Sequence, residues 1–175
     1  MKILIISNSR CGSTNLMNSI SSAHTIKSVF EPFINGIELN MDDDMVVKSL
    51  INQSTYEKYL ELIPQFDKVI FLTRRSTLSM TESLINLINR SRDNNYDPSL
   101  NTHLDEWVYD GIEDVTTTTL HTKITKRKEE LYELAKHFNI SVGHYEDVFY
   151  GDKSLKDKDI KLDLTYLDTS KRLRK

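Results

Sequence analysis

The sequence predicts an α/β fold: a single domain with a five-stranded, mainly parallel sheet flanked by helices. Three observations carry this expectation. Short apolar runs alternate with segments of helical spacing along most of the 175 residues, the order in which strands and crossover helices build a parallel sheet. The first run, Ile3-Leu4-Ile5-Ile6, is apolar without alternation, as a strand covered on both faces requires. Pro32 and Pro64 stand at the close of a strand and of a helix, where their fixed φ and missing N–H do least harm.

The elements follow in order. After the first strand a polar turn leads into a helix opening near Ser13 or Thr14 and reaching about residue 22. Val29-Phe30 is a short second strand ended by Pro32, and Met45-Val46-Val47 is a third. Residues 54–63 form a helix with Ser54 or Thr55 as N-cap. Val69-Ile70-Phe71-Leu72 is the fourth strand, followed by a long helix over 76–92 that buries Leu84, Ile85, Leu87 and Ile88. Residues 93–115 contain Asn94-Asn95, Asp97-Pro98 and Gly111, which is loop chemistry. Helical spacing resumes over 116–138 through Leu120, Ile124, Leu131, Leu134 and Phe138, with an interruption expected at the charged stretch 126–130. Residues 140–145 complete the sheet, and a polar, lysine-rich tail follows from 151.

Composition narrows the function classes. Apolar residues make up 38% and charged residues 28% of the chain, ordinary for a globular domain with a real core. A net charge of -3 argues against a general nucleic-acid binder, whose footprint is a basic excess; it leaves room for a local basic pocket. Cys11 is the single cysteine, so no internal disulfide forms and a reducing, cytoplasmic setting is expected. No apolar run reaches transmembrane length, and residues 3–6 are too short for a signal-peptide core, so no membrane association is expected. The five histidines, His24, His103, His121, His137 and His144, show no metal-ligand spacing, and no metal is expected. Two alanines against twelve asparagines mean that the helices rest on packing more than on propensity.

In a parallel sheet of this kind, ligands bind beyond the carboxyl ends of the strands. The segment after the first strand, Ser7-Asn8-Ser9-Arg10-Cys11-Gly12-Ser13-Thr14, is rich in donors. A helix start offers unpaired N–H groups and a positive dipole end. Gly12 lets the backbone approach an anion, Ser13 and Thr14 add hydroxyls, and Arg10 adds a charged fork. The plain alternative is a polar turn with a Ser/Thr N-cap and a solvated Arg. The ATP/GTP pattern G-x-x-x-x-G-K-[ST] is absent, because no Lys follows Gly12. The dinucleotide fingerprint needs three spaced glycines, and a cysteine-phosphatase loop needs an Arg where Met17 stands. Cys11 therefore reads as a small loop residue and not as a nucleophile.

Ser9-Arg10-Cys11-Gly12-Ser13-Thr14 resembles the 5′-phosphosulfate loop of the sulfotransferases that use 3′-phosphoadenosine-5′-phosphosulfate (PAPS): a Lys or Arg, a small residue, Gly, then two Ser/Thr. The resemblance spans strand one through the helix after Arg75, with a weaker match at Tyr145-Glu146-Asp147, a little over half the chain. It implies a P-loop-like sulfotransferase fold in which Ser9 to Thr14 and Asn15 hold the phosphosulfate end. It further implies that an Arg at the end of the fourth strand and a Ser eight or nine residues on bind the 3′-phosphate. Arg74 and Ser83 are nine apart and Arg75 and Ser83 eight; Arg74 is preferred because it directly follows the apolar strand.

Glu31, in Phe30-Glu31-Pro32-Phe33, is placed at a strand end and stiffened by Pro32, as a general base would be. Glu-Pro-Phe at this point resembles bacterial and carbohydrate-type members of that family; His103 is the competing base. Lys48, closing the third strand, either steadies the transferring sulfuryl group or is an exposed strand-end Lys. The family's usual Arg-Lys-Gly segment is missing, and Lys171 and Arg172 in the basic tail are its candidate substitutes. Tyr145-Glu146-Asp147 reads as structural. The resemblance implies PAPS as co-substrate, PAP as product, and a hydroxyl or amine of a small molecule or carbohydrate as acceptor. Tyr96, Trp107 and Tyr109 in the 93–115 loop would then wall the acceptor site or form its lid. The alternatives are a small-molecule kinase with a degenerate P-loop and a non-catalytic nucleotide- or sulfate-binding module.

Overall fold

A computed structural model describes residues 1–93 and 116–148. In chain order the elements are β1 (Lys2–Ser7), α1 (Ser13–His24), β2 (Lys27–Phe30), α2 (Pro32–Asn35), β3 (Met45–Leu50), α3 (Tyr56–Leu62), β4 (Lys68–Thr73), α4 (Thr77–Asp93), α5 (Thr117–His137), β5 (Val142–His144) and α6 (Tyr145–Val148). Short 3₁₀ turns, Ile51–Gln53 and Ile63–Gln65, follow β3 and α3. The strands form one sheet in the order β2-β3-β1-β4-β5, and every pairing is parallel. The chain leaves β1 for one side of the sheet, builds β2 and β3, then crosses to the other side for β4 and β5. That reversal puts a topological switch point at the carboxyl end of β1.

Successive side chains along β1 supply both cores, as the pleat dictates. Leu4 and Ile6 join Val47, Val69 and Phe71 against Tyr59 and Leu62 of α3 and Leu131 and Leu134 of α5. Ile3 and Ile5 join Val46, Ile70 and Leu72 against Leu16, Met17 and Ile20 of α1. Because both faces are covered, neither β1 nor β3 shows an apolar–polar alternation. A third cluster, Met80, Leu84 and Ile88 with Leu120 and Ile124, clamps α4 to α5.

Several expected boundaries shift for physical reasons. β3 runs on to Leu50, so Lys48 is an interior strand residue and only 2% exposed; it is not a solvated strand end. Pro32 ends β2 by opening a one-turn helix with Pro at its first position, the place where a missing N–H is least costly. α5 continues without a break through 126–130, because its buried stripe at Leu120, Ile124, Leu131, Leu134 and Ala135 is satisfied while the charges take the other face. β5 is short, and Tyr145 turns into α6 instead of extending the strand. Tyr96, His103, Trp107, Tyr109, Lys171 and Arg172 lie outside the described residues.

Candidate anion-binding site

At the carboxyl ends of β3, β1 and β4 a cleft of about 210 Å³ is lined by Ser9, Arg10, Gly12, Ser13, Thr14, Asn15, Lys48, Leu50, Arg74 and Ser83. Three cations face it, and no carboxylate is among its described lining residues.

The loop between β1 and α1 makes the floor. Its root is tied to β4: Asn8 N donates to Leu72 O at 3.3 Å, and Thr73 Oγ1 donates to Asn8 Oδ1 at 2.7 Å. Beyond that anchor Arg10 (φ 62) and Gly12 (φ 77) both adopt the left-handed conformation. Alternating it with ordinary residues folds a chain into a concave turn that gathers N–H groups. Gly12 accepts this without cost, whereas Arg10, with a Cβ, stores about 1–3 kcal/mol of strain, a pattern concentrated at ligand-binding loops. Gly12 is also the N-cap of α1 and offers no side-chain cap, and the first turn of the helix holds no acidic residue. The amino end of α1 therefore keeps its positive end and its unpaired donors.

The walls come from farther along the chain. Arg10 Nε donates to Ser83 Oγ at 3.1 Å, joining the loop to α4 across 73 positions. The residues expected to form two separate anion sites thus line one continuous cleft. The adjacent arginines part company. Arg75 gives Nη2 to both oxygens of Asp147 at 2.6 and 2.7 Å, and its backbone N–H donates to Glu146. Its carbonyl accepts from Lys128 Nζ at 2.8 Å. Arg74 lines the cleft, with its guanidinium stacked 4.3 Å over the Tyr145 ring. The segment Tyr145-Glu146-Asp147 therefore anchors both arginines, as its structural reading expects. Ser9 Oγ and Arg74 Nε are buried atoms without a hydrogen-bond partner. Both belong to residues that line the cleft, and buried polar atoms of this kind are completed by water, an ion or a ligand.

Two expected site residues fall elsewhere. The resemblance places Cys11 among the loop's binding residues, but its side chain is fully buried in the core beneath α1, where Sγ donates to Asn8 O at 2.9 Å. Burial raises its thiol pKa above the ordinary value, offset in part by neighbouring hydroxyls and the Lys48 charge. Only its backbone can take part in the cradle. Glu31 (φ 46) is fully buried, and its carboxylate accepts from Lys48 Nζ and, at 2.7 Å, from Gln53 Nε2. It stands behind Lys48 and does not line the cleft. Gln53 and Leu50, neither expected from the sequence, complete the arrangement, one bonding Glu31 and the other walling the cleft. A Gln three residues past a strand carries no local signal of such a partnership.

No family model, curated protein or solved structure matches the chain. Among the described residues no group of three or more His, Cys, Asp or Glu converges as metal ligands would, and no helix is long and apolar enough to cross a membrane.

Proposed function

We propose that the cleft holds the phosphosulfate end of PAPS and that the protein transfers the sulfuryl group to a hydroxyl or amine acceptor. One observation carries this reading. The resembling loop, Ser9 to Asn15 without the buried Cys11 side chain, meets Arg74 and Ser83, the pair that the resemblance assigns to the 3′-phosphate, in a single cationic cleft. A donor set of three cations and several hydroxyls suits a multiply charged anion. A cleft of about 210 Å³ suits the charged groups of such a ligand.

In this reading Arg10, the loop N–H groups, Ser13 and Thr14 stabilise the charge that gathers on the bridging oxygen as the sulfur–oxygen bond breaks. Lys48 steadies the transferring group. The acceptor oxygen or nitrogen bonds to sulfur in line, and its proton passes to Glu31 once Lys48 has moved off that buried carboxylate. The work is positioning and electrostatics, as in phosphoryl transfer.

The kinase reading is weakened because no carboxylate that could hold Mg²⁺ is among the described residues lining the cleft. A non-catalytic anion-binding module is the second reading, and the complete burial of Glu31 favours it. Thermal denaturation with PAP, ATP or ATP with Mg²⁺ separates nucleotide classes: a rise with PAP alone is expected, and stabilisation by ATP with Mg²⁺ but not by PAP refutes the proposal. Incubation with radiolabelled PAPS and panels of phenols, sugars and amines separates enzyme from module. Arg10→Ala is then expected to slow transfer more than it weakens PAP binding.

A further inference from the structure

We infer that Glu31 is the counter-ion which an anion entering the cleft displaces from Lys48, and that Gln53 is the positioning residue holding Glu31 in place during the exchange. The inference rests on reading the cleft as the seat of a phosphate-type anion, and it assigns that site an order of events.

Lys48 belongs to two environments at once. Its ammonium pairs with Glu31 Oε1 and lies 4.4 Å from the Phe30 ring centroid, while the residue also lines the cleft. At 2% exposure the ammonium gains little from water, so its charge is met by protein or by ligand. An incoming anion and Glu31 are therefore rivals for one cation.

The two partners of that pair differ in freedom. Glu31 is fixed at its backbone, where its N–H donates to Lys48 O at 2.8 Å. It is fixed again at Oε2 by Gln53 Nε2. The Gln53 amide has one sensible orientation, because its Oε1 accepts from Leu50 N at 2.9 Å and from Ser49 Oγ at 3.3 Å. Its NH₂ group must therefore face Glu31. Behind it the fully buried Tyr59 donates its OH to Leu50 O at 2.6 Å and lies 2.8 Å from Ser49 Oγ. Lys48 carries its charge on a four-carbon stem with rotatable bonds. The acceptor is held and the donor can swing.

A buried carboxylate that lost the Lys48 ammonium with nothing to compensate would be very costly. The Gln53 hydrogen bond keeps one oxygen of Glu31 satisfied when Lys48 turns toward the cleft. The same movement uncovers the other oxygen, so the proton acceptor of the proposed transfer becomes accessible only once the anionic co-substrate is seated.

Titration calorimetry with inorganic pyrophosphate and with PAP tests this on wild type, Glu31→Gln, Gln53→Met and the double variant. Removing the rival charge in Glu31→Gln is expected to tighten pyrophosphate binding on the order of tenfold, within the usual range of coupling between two ligands of one element. Gln53→Met is expected to weaken binding, because Glu31 then loses the hydrogen bond that compensates for the departure of Lys48, and to have no effect in the Glu31→Gln background. A purely structural role for Gln53 would not vanish in that way. Weaker or unchanged binding by folded Glu31→Gln overturns the inference. If that variant does not fold, NMR of the Lys48 ammonium nitrogen and the Glu31 carboxyl carbon in wild type decides. Pyrophosphate must move both resonances, and an unmoved Glu31 signal overturns the exchange. Pyrophosphate binding with this behaviour but without PAP binding refutes the nucleotide reading and sustains the exchange; failure of both anions to bind refutes both.

Discussion

The buried pair of Lys48 and Glu31 makes the sharpest prediction about stability. Both side chains are essentially removed from water, so solvent screening does not dilute the interaction. Lys48→Met leaves Glu31 charged inside the protein with the Gln53 hydrogen bond among its remaining contacts. Breaking a buried pair on one side costs about 3–5 kcal/mol, because the surviving charge is uncompensated. For a domain whose total stability is about 5–15 kcal/mol, that is a large fraction. With urea slopes of about 1–3 kcal/mol/M, the midpoint should fall on the order of 2 M. The double variant Glu31→Gln/Lys48→Met carries no stranded charge and retains side chains of similar volume. It should lie within about 2 kcal/mol of wild type, since paired replacement of a buried ion pair is often close to neutral. Urea unfolding of wild type, Lys48→Met, Glu31→Gln and the double variant, followed by far-ultraviolet circular dichroism, gives the cycle directly. Single losses below about 1 kcal/mol, or two losses that simply add in the double variant, would show that the pair is not the buried, mutually dependent unit described.

Three further outcomes are expected. Arg74→Ala should weaken PAP binding by about 10- to 100-fold, the equivalent of a lost charge-assisted hydrogen bond. Arg75→Ala, which loses an exposed ion pair with Asp147, should leave that affinity nearly unchanged; calorimetry on both variants is the check, and a reversed order assigns the cleft to the wrong arginine. Gly12→Ala forces a Cβ into φ 77 and should cost about 1–2 kcal/mol of stability, read from thermal or urea unfolding. Cys11 should resist alkylation in the native protein and react on unfolding, since burial raises its thiol pKa. The sign for stability follows: as pH rises past the ordinary thiol range the unfolded chain ionises there and the folded chain does not, so this group lowers stability toward alkaline pH.

The parts of the fold legible in the sequence were those with a uniform local cause. β1 and β4 are unbroken apolar runs, and a strand buried on both faces has no other appearance. One turn of helix leaves no period to detect, so α2 has no counterpart among the expected elements, and the strand expected over 140–145 is only Val142–His144, because three residues around Gly143 carry almost no pattern. The charged stretch in α5 suggested a break where the buried stripe in fact persists on the opposite side. For the site, the loop at residues 7–14 announced itself by composition. Its partners did not. The choice between Arg74 and Arg75 is made by Asp147, 72 positions later, and Glu31 meets Lys48 across 17 positions and Gln53 across 22. Two identical neighbours look alike until the fold gives one of them an acid to hold.

The position of β1 in the middle of the sheet has a consequence during synthesis. Within this sheet it is made first, yet its two neighbours, β3 and β4, start at residues 45 and 68. As the nascent chain lengthens, a segment of four consecutive large apolar residues, Ile3 to Ile6, must wait with both hydrogen-bonding edges open, the state most prone to misassociation. The cationic cleft draws one wall from each of β3, β1 and β4 and the last from α4, so it comes into being only when that wait ends. Capture of an anion would then act as a late seal on folding, drawing the assembled state forward by mass action at the moment the central strand is covered.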